Sequence, residues 1–259
     1  MPLPRIRKIS LSKPLPLVKL LPSLVTLMGL TIGMSAVRFA LESRWEASVT
    51  CIMAAVLIDA LDGRVARMLN ATSVFGAELD SLSDMANFGI APALIVYLWS
   101  FQNIEYKLFS WAAVLLYMVC MAIRLARFNT GIHDTKQANK LKNFFIGVPA
   151  PAGAILMLFP IILDFDLSTT LGFNIRSHTL LITMYQILIA FLLPSRLPTL
   201  SMKNTLIRYE YVWAYLLGAG IFITAILVYT WYVMPILAIL YLASIPLSAM
   251  YFKRNNPDG

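Results

Sequence analysis

The chain has 259 residues, of which 59% are hydrophobic and only 13% are charged. A soluble globular domain has roughly 45–50% apolar and about 25% charged residues, so this composition excludes a soluble protein and predicts an integral membrane protein. The formal net charge is +8; because the basic residues flank apolar runs, we expect them to meet anionic lipid head groups, and we expect no nucleic-acid partner.

Eight apolar runs are long enough to be membrane-spanning helices. With short loops they use nearly the whole chain, which predicts one all-α, polytopic membrane helix bundle as a single domain over residues 1–259. Residues 1–20 are basic and are predicted to be a retained cytoplasmic N-terminal segment, not a cleaved signal peptide. The eight runs are placed near residues 22–41, 47–69, 82–101, 107–127, 147–164, 178–195, 211–230 and 232–252.

The positions of lysine and arginine predict the orientation of the bundle, since cytoplasmic loops carry an excess of both. If the N-terminus is inside, the cytoplasmic side collects all but four of the 21 basic residues. We therefore expect both termini to be cytoplasmic. The four basic residues on the opposite side are then Arg38, Arg44, Lys107 and Arg176.

Four aspartates lie at the end of the second predicted span and the start of the third. Asp59 and Asp62 are three residues apart, and Asp80 and Asp84 are four apart, so each pair shares one face of a helix. A carboxylate near hydrocarbon is costly and needs a partner, and hard divalent cations bind carboxylate oxygens. The pattern predicts two metal ions between the two helices, an arrangement that clamps a phosphoryl group during in-line displacement.

Other residues around the aspartates suit a nucleotide site. Thr72 or Ser73 is predicted to cap the third span. Gly63 and Gly76 have no side chain, so a nucleotide or a neighbouring helix can approach the backbone there. Arg67 lies one helical turn after Gly63, where its guanidinium can pair with a phosphate.

Two other interpretations of the aspartates are structural Asp–Arg pairs at helix ends and a cation or proton pathway in a transporter. Transporter sites lie near the membrane midplane, commonly on broken helices related by an internal repeat. These aspartates lie at one membrane face, and the sequence shows no repeat. Metal-dependent phosphoryl transfer is therefore favoured, and a cation-coupled transporter is the alternative from a different class.

The spacing of the motif resembles the signature of the CDP-alcohol phosphotransferase family at every fixed position. The resemblance implies an enzyme that joins an alcohol to a phosphoryl group from a CDP-linked substrate and releases CMP, with Mg²⁺ or Mn²⁺. It implies Asp59, Asp62 and Asp80 as metal ligands and Asp84 as a metal ligand, the catalytic base or both. It also implies Gly63, Ala66, Arg67 and Gly76 as the CDP site. The matching residues read Asp59-x2-Asp62-Gly63-x2-Ala66-Arg67-x8-Gly76-x3-Asp80-x3-Asp84.

Segments at 124–129, 145–152 and 195–199 indicate the branch of the family. They resemble segments of the bacterial integral-membrane phosphatidylserine synthases, although Ser23 stands where family members often have Asn. The resemblance implies CDP-diacylglycerol and L-serine as substrates, phosphatidylserine and CMP as products, and a homodimer. It also implies a bacterial inner-membrane protein whose active site faces the cytoplasm. Glycerol 3-phosphate, inositol phosphate and choline are alternative acceptors for the same chemistry.

A serine acceptor needs a cation for its carboxylate, and a bidentate arginine suits it best. Arg124 and Arg127 close the fourth span, and Lys140 and Lys142 follow on the same predicted side. We therefore expect Arg124 or Arg127, together with Asn129, to bind serine. The alternative is that one arginine holds the diphosphate while the other anchors the helix at the head groups.

Overall fold

The computed structural model describes residues 20–69, 71, 73–101, 107–131, 144–172, 174–195, 198–200 and 211–255. Several predictions fall outside these ranges. They concern the basic N-terminal segment before residue 20, the possible cap Thr72, and the loop cations Lys140 and Lys142.

The described residues form eight helical stretches, and each coincides with one of the eight predicted apolar runs. The predicted all-α bundle is confirmed for these elements. The third stretch begins earlier than its apolar run, because Ser73 caps it ahead of the aspartates. The stretches are α1 (Leu21–Leu41), α2 (Trp45–Met68), α3 (Val74–Asp84) continuing through a π-helical segment (Met85–Ile90) into α4 (Ala91–Ser100), α5 (Lys107–Gly131), α6 (Ala150–Leu171), α7 (Thr179–Leu192), α8 (Val212–Val228) and α9 (Thr230–Asn255).

Four of these stretches are long and apolar enough to cross a membrane, and three more are shorter apolar helices. α2, with two aspartates and two arginines in its second half, is in neither group. Large apolar side chains are exposed along the helices, including Leu57, Leu115 and Leu188, and surface of this kind is stable only against lipid or another protein. The protein is an integral membrane protein. The four long stretches are Leu21–Leu41, Val74–Ser100, Lys107–Thr130 and Thr230–Ser248.

One element was not predicted. β1 (Phe144–Ile146) pairs antiparallel with β2 (Pro198–Leu200), in the connections before α6 and after α7. Strands of three residues are too short to show the two-residue periodicity that identifies a strand. Gly147 follows β1 with φ +77, and a Cβ there would lie 2.7 Å from the carbonyl oxygen of Ser195, so this turn requires glycine.

Small residues let α1 pack closely on its neighbours. Gly29, Gly33, Ala36 and Ala40 are buried on α1, and a Cβ at Gly33 would lie 2.2 Å from the Oδ1 atom of Asn87 in the π-helical segment. α1 packs on α2, α3 and α4. This packing brings the start of α1, the end of α2 and the start of α3 together at one end of the bundle.

Candidate active site

Three aspartates meet where the end of α2 faces α3. Asp59 and Asp62 come from α2 and Asp80 from α3, and one carboxylate oxygen of each lies within 4.8 Å of the others. Asp62 is buried and the other two are half-buried. The helical spacing of the sequence predicts that the two helices present their carboxylates to one cleft, and the structure places these three there.

The three carboxylates fit a divalent cation. Among the described residues, no lysine or arginine forms an ion pair with an aspartate of the motif; the described ion pairs join Glu42 to Arg38 and Arg44, between α1 and α2. Carboxylates held this close without a cation repel one another. A hard cation binds carboxylate oxygens and removes that repulsion, so the cluster has the chemistry of a metal site.

Asp84 lies at the junction of α3 and the π-helical segment. Its carboxyl group is within hydrogen-bonding reach of Asp59, but it is not one of the three clustered carboxylates. Its Oδ1 atom is buried and has no hydrogen-bond partner among the described residues. Because a buried acceptor without a donor is costly, Asp84 is poised to accept a hydrogen bond or a proton from a bound substrate.

Thr26 of α1 orients Asp62. Its Oγ1 atom lies 2.8 Å from Asp62 Oδ2 and 3.0 Å from the carbonyl oxygen of Pro22, so it donates to either acceptor. Thr26 and Asp62 are both buried. Sequence analysis missed this residue, since it precedes Asp62 by 36 positions and no helical spacing relates the two.

We expect Thr26→Val to weaken metal binding by about 10–100-fold, because partners of metal-binding side chains fix their orientation. Thr26→Ser keeps the hydroxyl and should bind metal nearly as the wild type does. The measurement is the thermal unfolding of purified protein as a function of Mg²⁺ or Mn²⁺ concentration. Equal metal affinity in Thr26→Val and the wild type would contradict this role.

Gly63 borders open space beside the carboxylates. No atom lies within 4 Å of the position that a Cβ would take at Gly63. Arg67 is exposed, and its Nε atom donates a hydrogen bond of 3.0 Å to the carbonyl oxygen of Gly63. Ala66 is half-buried between them in the sequence. The structure therefore leaves room for a ligand over Gly63, with the Arg67 guanidinium next to it.

Gly76 has a different environment. Its N–H donates to the Ser73 Oγ atom at 3.0 Å, so Ser73 is the cap of α3 out of the two predicted candidates, Thr72 and Ser73. A Cβ at Gly76 would lie 3.1 Å from Ser73 Oγ and 3.8 Å from Ser23 Oγ. Gly76 thus lets the start of α3 pack closely against its own cap and against α1.

Of the three residues expected to bind serine, Arg124 is the one whose charge interacts with an aspartate of the motif, Asp84. It is half-buried, and its Nε atom donates to the carbonyl oxygen of Val148. The hydrogen bond to Val148, just before α6, therefore fixes a guanidinium whose charge acts on Asp84.

The other two residues have different contacts. Arg127 is exposed, and its Nη1 atom donates to the carbonyl oxygen of Pro194, after α7, at 2.6 Å. Asn129 Nδ2 donates to Ser81 Oγ on α3 at 2.8 Å. The end of α5 is thus tied to α3 by Asn129 and to the end of α7 by Arg127.

Several known proteins are similar in sequence to this chain. A CDP-diacylglycerol–serine O-phosphatidyltransferase of Mycobacterium leprae is 35% identical over 229 residues, which cover 88% of this chain and 74% of that protein. Its counterpart in Mycobacterium tuberculosis H37Rv is 45% identical over 141 residues, covering 54% of this chain and 48% of the relative. The corresponding protein of Helicobacter pylori J99 is 37% identical over 145 residues, which cover 56% of this chain and 58% of that protein.

The second and third matches span only about half the length of those relatives. The model of the family described as CDP-alcohol phosphatidyltransferase matches residues 19–247, a range that contains the aspartate cluster, Thr26 and Arg124. Nearly the whole described bundle, and not the motif alone, carries the similarity. The chain therefore belongs to the CDP-alcohol phosphatidyltransferase family.

Proposed function

We propose that this protein transfers a phosphatidyl group from CDP-diacylglycerol to L-serine, giving phosphatidylserine and CMP. The clustered carboxylates of Asp59, Asp62 and Asp80 are the observation that carries the phosphoryl-transfer chemistry. The relatives named as serine O-phosphatidyltransferases support serine as the acceptor. The exposed apolar helices suit a substrate with two acyl chains, because such chains enter from the bilayer.

The metal site is proposed to consist of Asp59, Asp62 and Asp80, which would hold Mg²⁺ or Mn²⁺, two ions in all. The chemistry such ions would supply is neutralisation of the diphosphate and of the charge on the leaving CMP. Thr26 holds Asp62 toward the site. Gly63 and Ala66 are proposed to leave space for the nucleotide, and Arg67 to pair with phosphate. Gly76 is proposed to shape the CDP site by letting α3 begin close to α1.

Asp84 is proposed as the catalytic base that accepts the proton of the serine hydroxyl. The serine oxygen then bonds to the phosphorus that carries the diacylglycerol, and the bond from that phosphorus to the CMP oxygen breaks. Arg124 is the best placed of the predicted cations for the serine carboxylate, since its charge already interacts with Asp84. Asn129 holds α5 against α3, and Arg127 anchors the helix end near the head groups.

We further propose that the whole chain is one domain with eight membrane-spanning helices, cytoplasmic termini and an active site that faces the cytoplasm of a bacterial inner membrane. The positions of the arginines support this orientation. Arg64, Arg67, Arg124 and Arg127 lie at the ends of α2 and α5 that carry the site. Arg38, Arg44, Lys107 and Arg176 lie at the other ends of the helices. A homodimer is proposed from the family resemblance.

The proposal predicts that purified protein in detergent releases CMP from CDP-diacylglycerol only when L-serine and Mg²⁺ or Mn²⁺ are both present. Glycerol 3-phosphate, inositol phosphate and choline, tested in parallel, should give no comparable release. Release that depends on one of these instead of serine would keep the aspartate chemistry and overturn the acceptor. If the protein unfolds cooperatively, and is therefore folded, but releases no CMP with any acceptor, the result would favour a cation-coupled transporter.

A further inference from the structure

The last helix, α9, places a tyrosine in the interior of the bundle. Tyr241 lies between Ala238 and Ile245, which are buried about one turn before and one turn after it, so Tyr241 is on the stripe of α9 that faces the other helices. The Trp231 ring, at the start of α9, packs edge-on against Phe165 near the far end of α6, with 4.8 Å between ring centroids. Tyr241 is ten residues further along, about 15 Å closer to the site end of the bundle at 1.5 Å per helical residue.

The hydroxyl oxygen of Tyr241 is buried and has no hydrogen-bond partner among the described residues. Tyr117, which is buried, and Tyr185, which is half-buried, differ in this respect. The Tyr117 hydroxyl donates to the carbonyl oxygen of Phe88 at 2.9 Å, and the Tyr185 hydroxyl donates to the carbonyl oxygen of Leu156 at 2.8 Å. Buried polar groups are nearly always paired. A bound molecule can therefore supply the hydrogen-bond partner that the Tyr241 hydroxyl lacks.

Arg124 is within electrostatic range of both this hydroxyl and Asp84. Its charge interacts with Asp84, Tyr117 and Tyr241. The Tyr117 hydroxyl is already paired with a carbonyl oxygen, which leaves Tyr241 as the neighbour able to donate to a ligand. The Arg124 guanidinium has N–H groups beyond the Nε–H that bonds to Val148, and this fork binds carboxylates well.

We propose that Tyr241 binds the acceptor alcohol, with its hydroxyl donating to the carboxylate of L-serine beside Arg124 while the serine hydroxyl lies at Asp84. The proposal rests on the proposed transfer to serine. In serine the carboxylate and the hydroxyl are separated by only a few bonds, so the groups that bind them must be neighbours. The charge of Arg124 acts on both Asp84 and Tyr241, and the Tyr241 hydroxyl is buried without a partner among the described residues. α9 therefore selects an acceptor that carries a carboxylate.

The test is Tyr241→Phe, which removes only the hydroxyl. The KM for L-serine should rise about 10–100-fold, the expected cost of losing a hydrogen bond to a charged group, while the KM for CDP-diacylglycerol stays within about twofold of wild type. The melting temperature should be unchanged or higher, because an unpaired buried hydroxyl is lost.

The matched control is Tyr185→Phe, which removes a buried hydroxyl that is paired with the Leu156 carbonyl oxygen. It should lower the melting temperature without a selective rise in the KM for serine. An unchanged KM for serine in Tyr241→Phe, or an equal rise for both substrates, would overturn the inference. Wild-type protein that releases no CMP with serine would contradict the proposed function itself, so the two failures are distinguishable.

Discussion

Asp80→Asn is expected to abolish turnover while leaving the protein folded. Asp80 is the member of the three-carboxylate cluster that α3 supplies, and the other two come from α2. Without it, only α2 would supply carboxylates of this cluster to a metal ion. Metal ions stabilise the transition state by several kcal/mol, and each 1.36 kcal/mol is a factor of ten in rate, so we expect a loss of at least about 10³-fold in kcat. Asp62→Asn should act in the same direction.

Thermal unfolding gives a second readout that does not depend on activity. Wild-type protein should gain stability when Mg²⁺ or Mn²⁺ is added, because a ligand that binds only the folded state stabilises it. Asp80→Asn should lose most of this gain. Without metal it should be at least as stable as the wild type, since one charge of a mutually repelling group has been removed.

Glu78→Gln is the control for Asp80→Asn. Glu78 is an exposed carboxylate on the same helix but is outside the clustered set, so its replacement should preserve both the rate and the metal-dependent stabilisation. Full activity in Asp80→Asn would contradict the metal-site proposal. So would an undiminished thermal response of that variant to added metal.

Asp84→Asn is expected to lower kcat by about 10²–10⁴-fold, the usual contribution of a positioned general base. Because Asp84 is outside the cluster of three carboxylates, most of the stabilisation by added metal should persist. The KM for CDP-diacylglycerol should change little. This pattern separates Asp84 from Asp80, which is expected to lose both activity and the thermal response.

The paired measurement also distinguishes the two roles that the sequence left open for Asp84. If Asp84→Asn loses the metal-dependent stabilisation as well as kcat, Asp84 is a metal ligand and not a base alone. Asp164→Asn is the control: Asp164 accepts a hydrogen bond of 2.9 Å from the N–H of Ile175 at the opposite end of the bundle. This variant should reduce stability without a change in kcat at saturating substrate and metal.

Local periodicity accounts for what could be predicted. Each of the eight apolar runs coincides with a helical stretch, because a run of about 20 apolar residues is typical of a helix that spans the bilayer. The spacing of three and four residues between aspartates also anticipated that Asp59, Asp62 and Asp80 share a cleft. It did not separate Asp84 from the other three, since all four positions satisfy the same helical rule.

The sequence by itself determined the membrane class, the helices, a cap at Thr72 or Ser73 and the aspartate motif, since each follows from composition or from neighbours within about one helical turn. Only the tertiary structure decided that Thr26 contacts Asp62, that the charge of Arg124 acts on Asp84 while Arg127 bonds to Pro194, and that Tyr241 of the last helix is within electrostatic range of Arg124. These relations depend on which helices pack together and at what rotation. Shape complementarity over whole helix surfaces decides that packing, and it cannot be predicted from the spacing of residues along the chain.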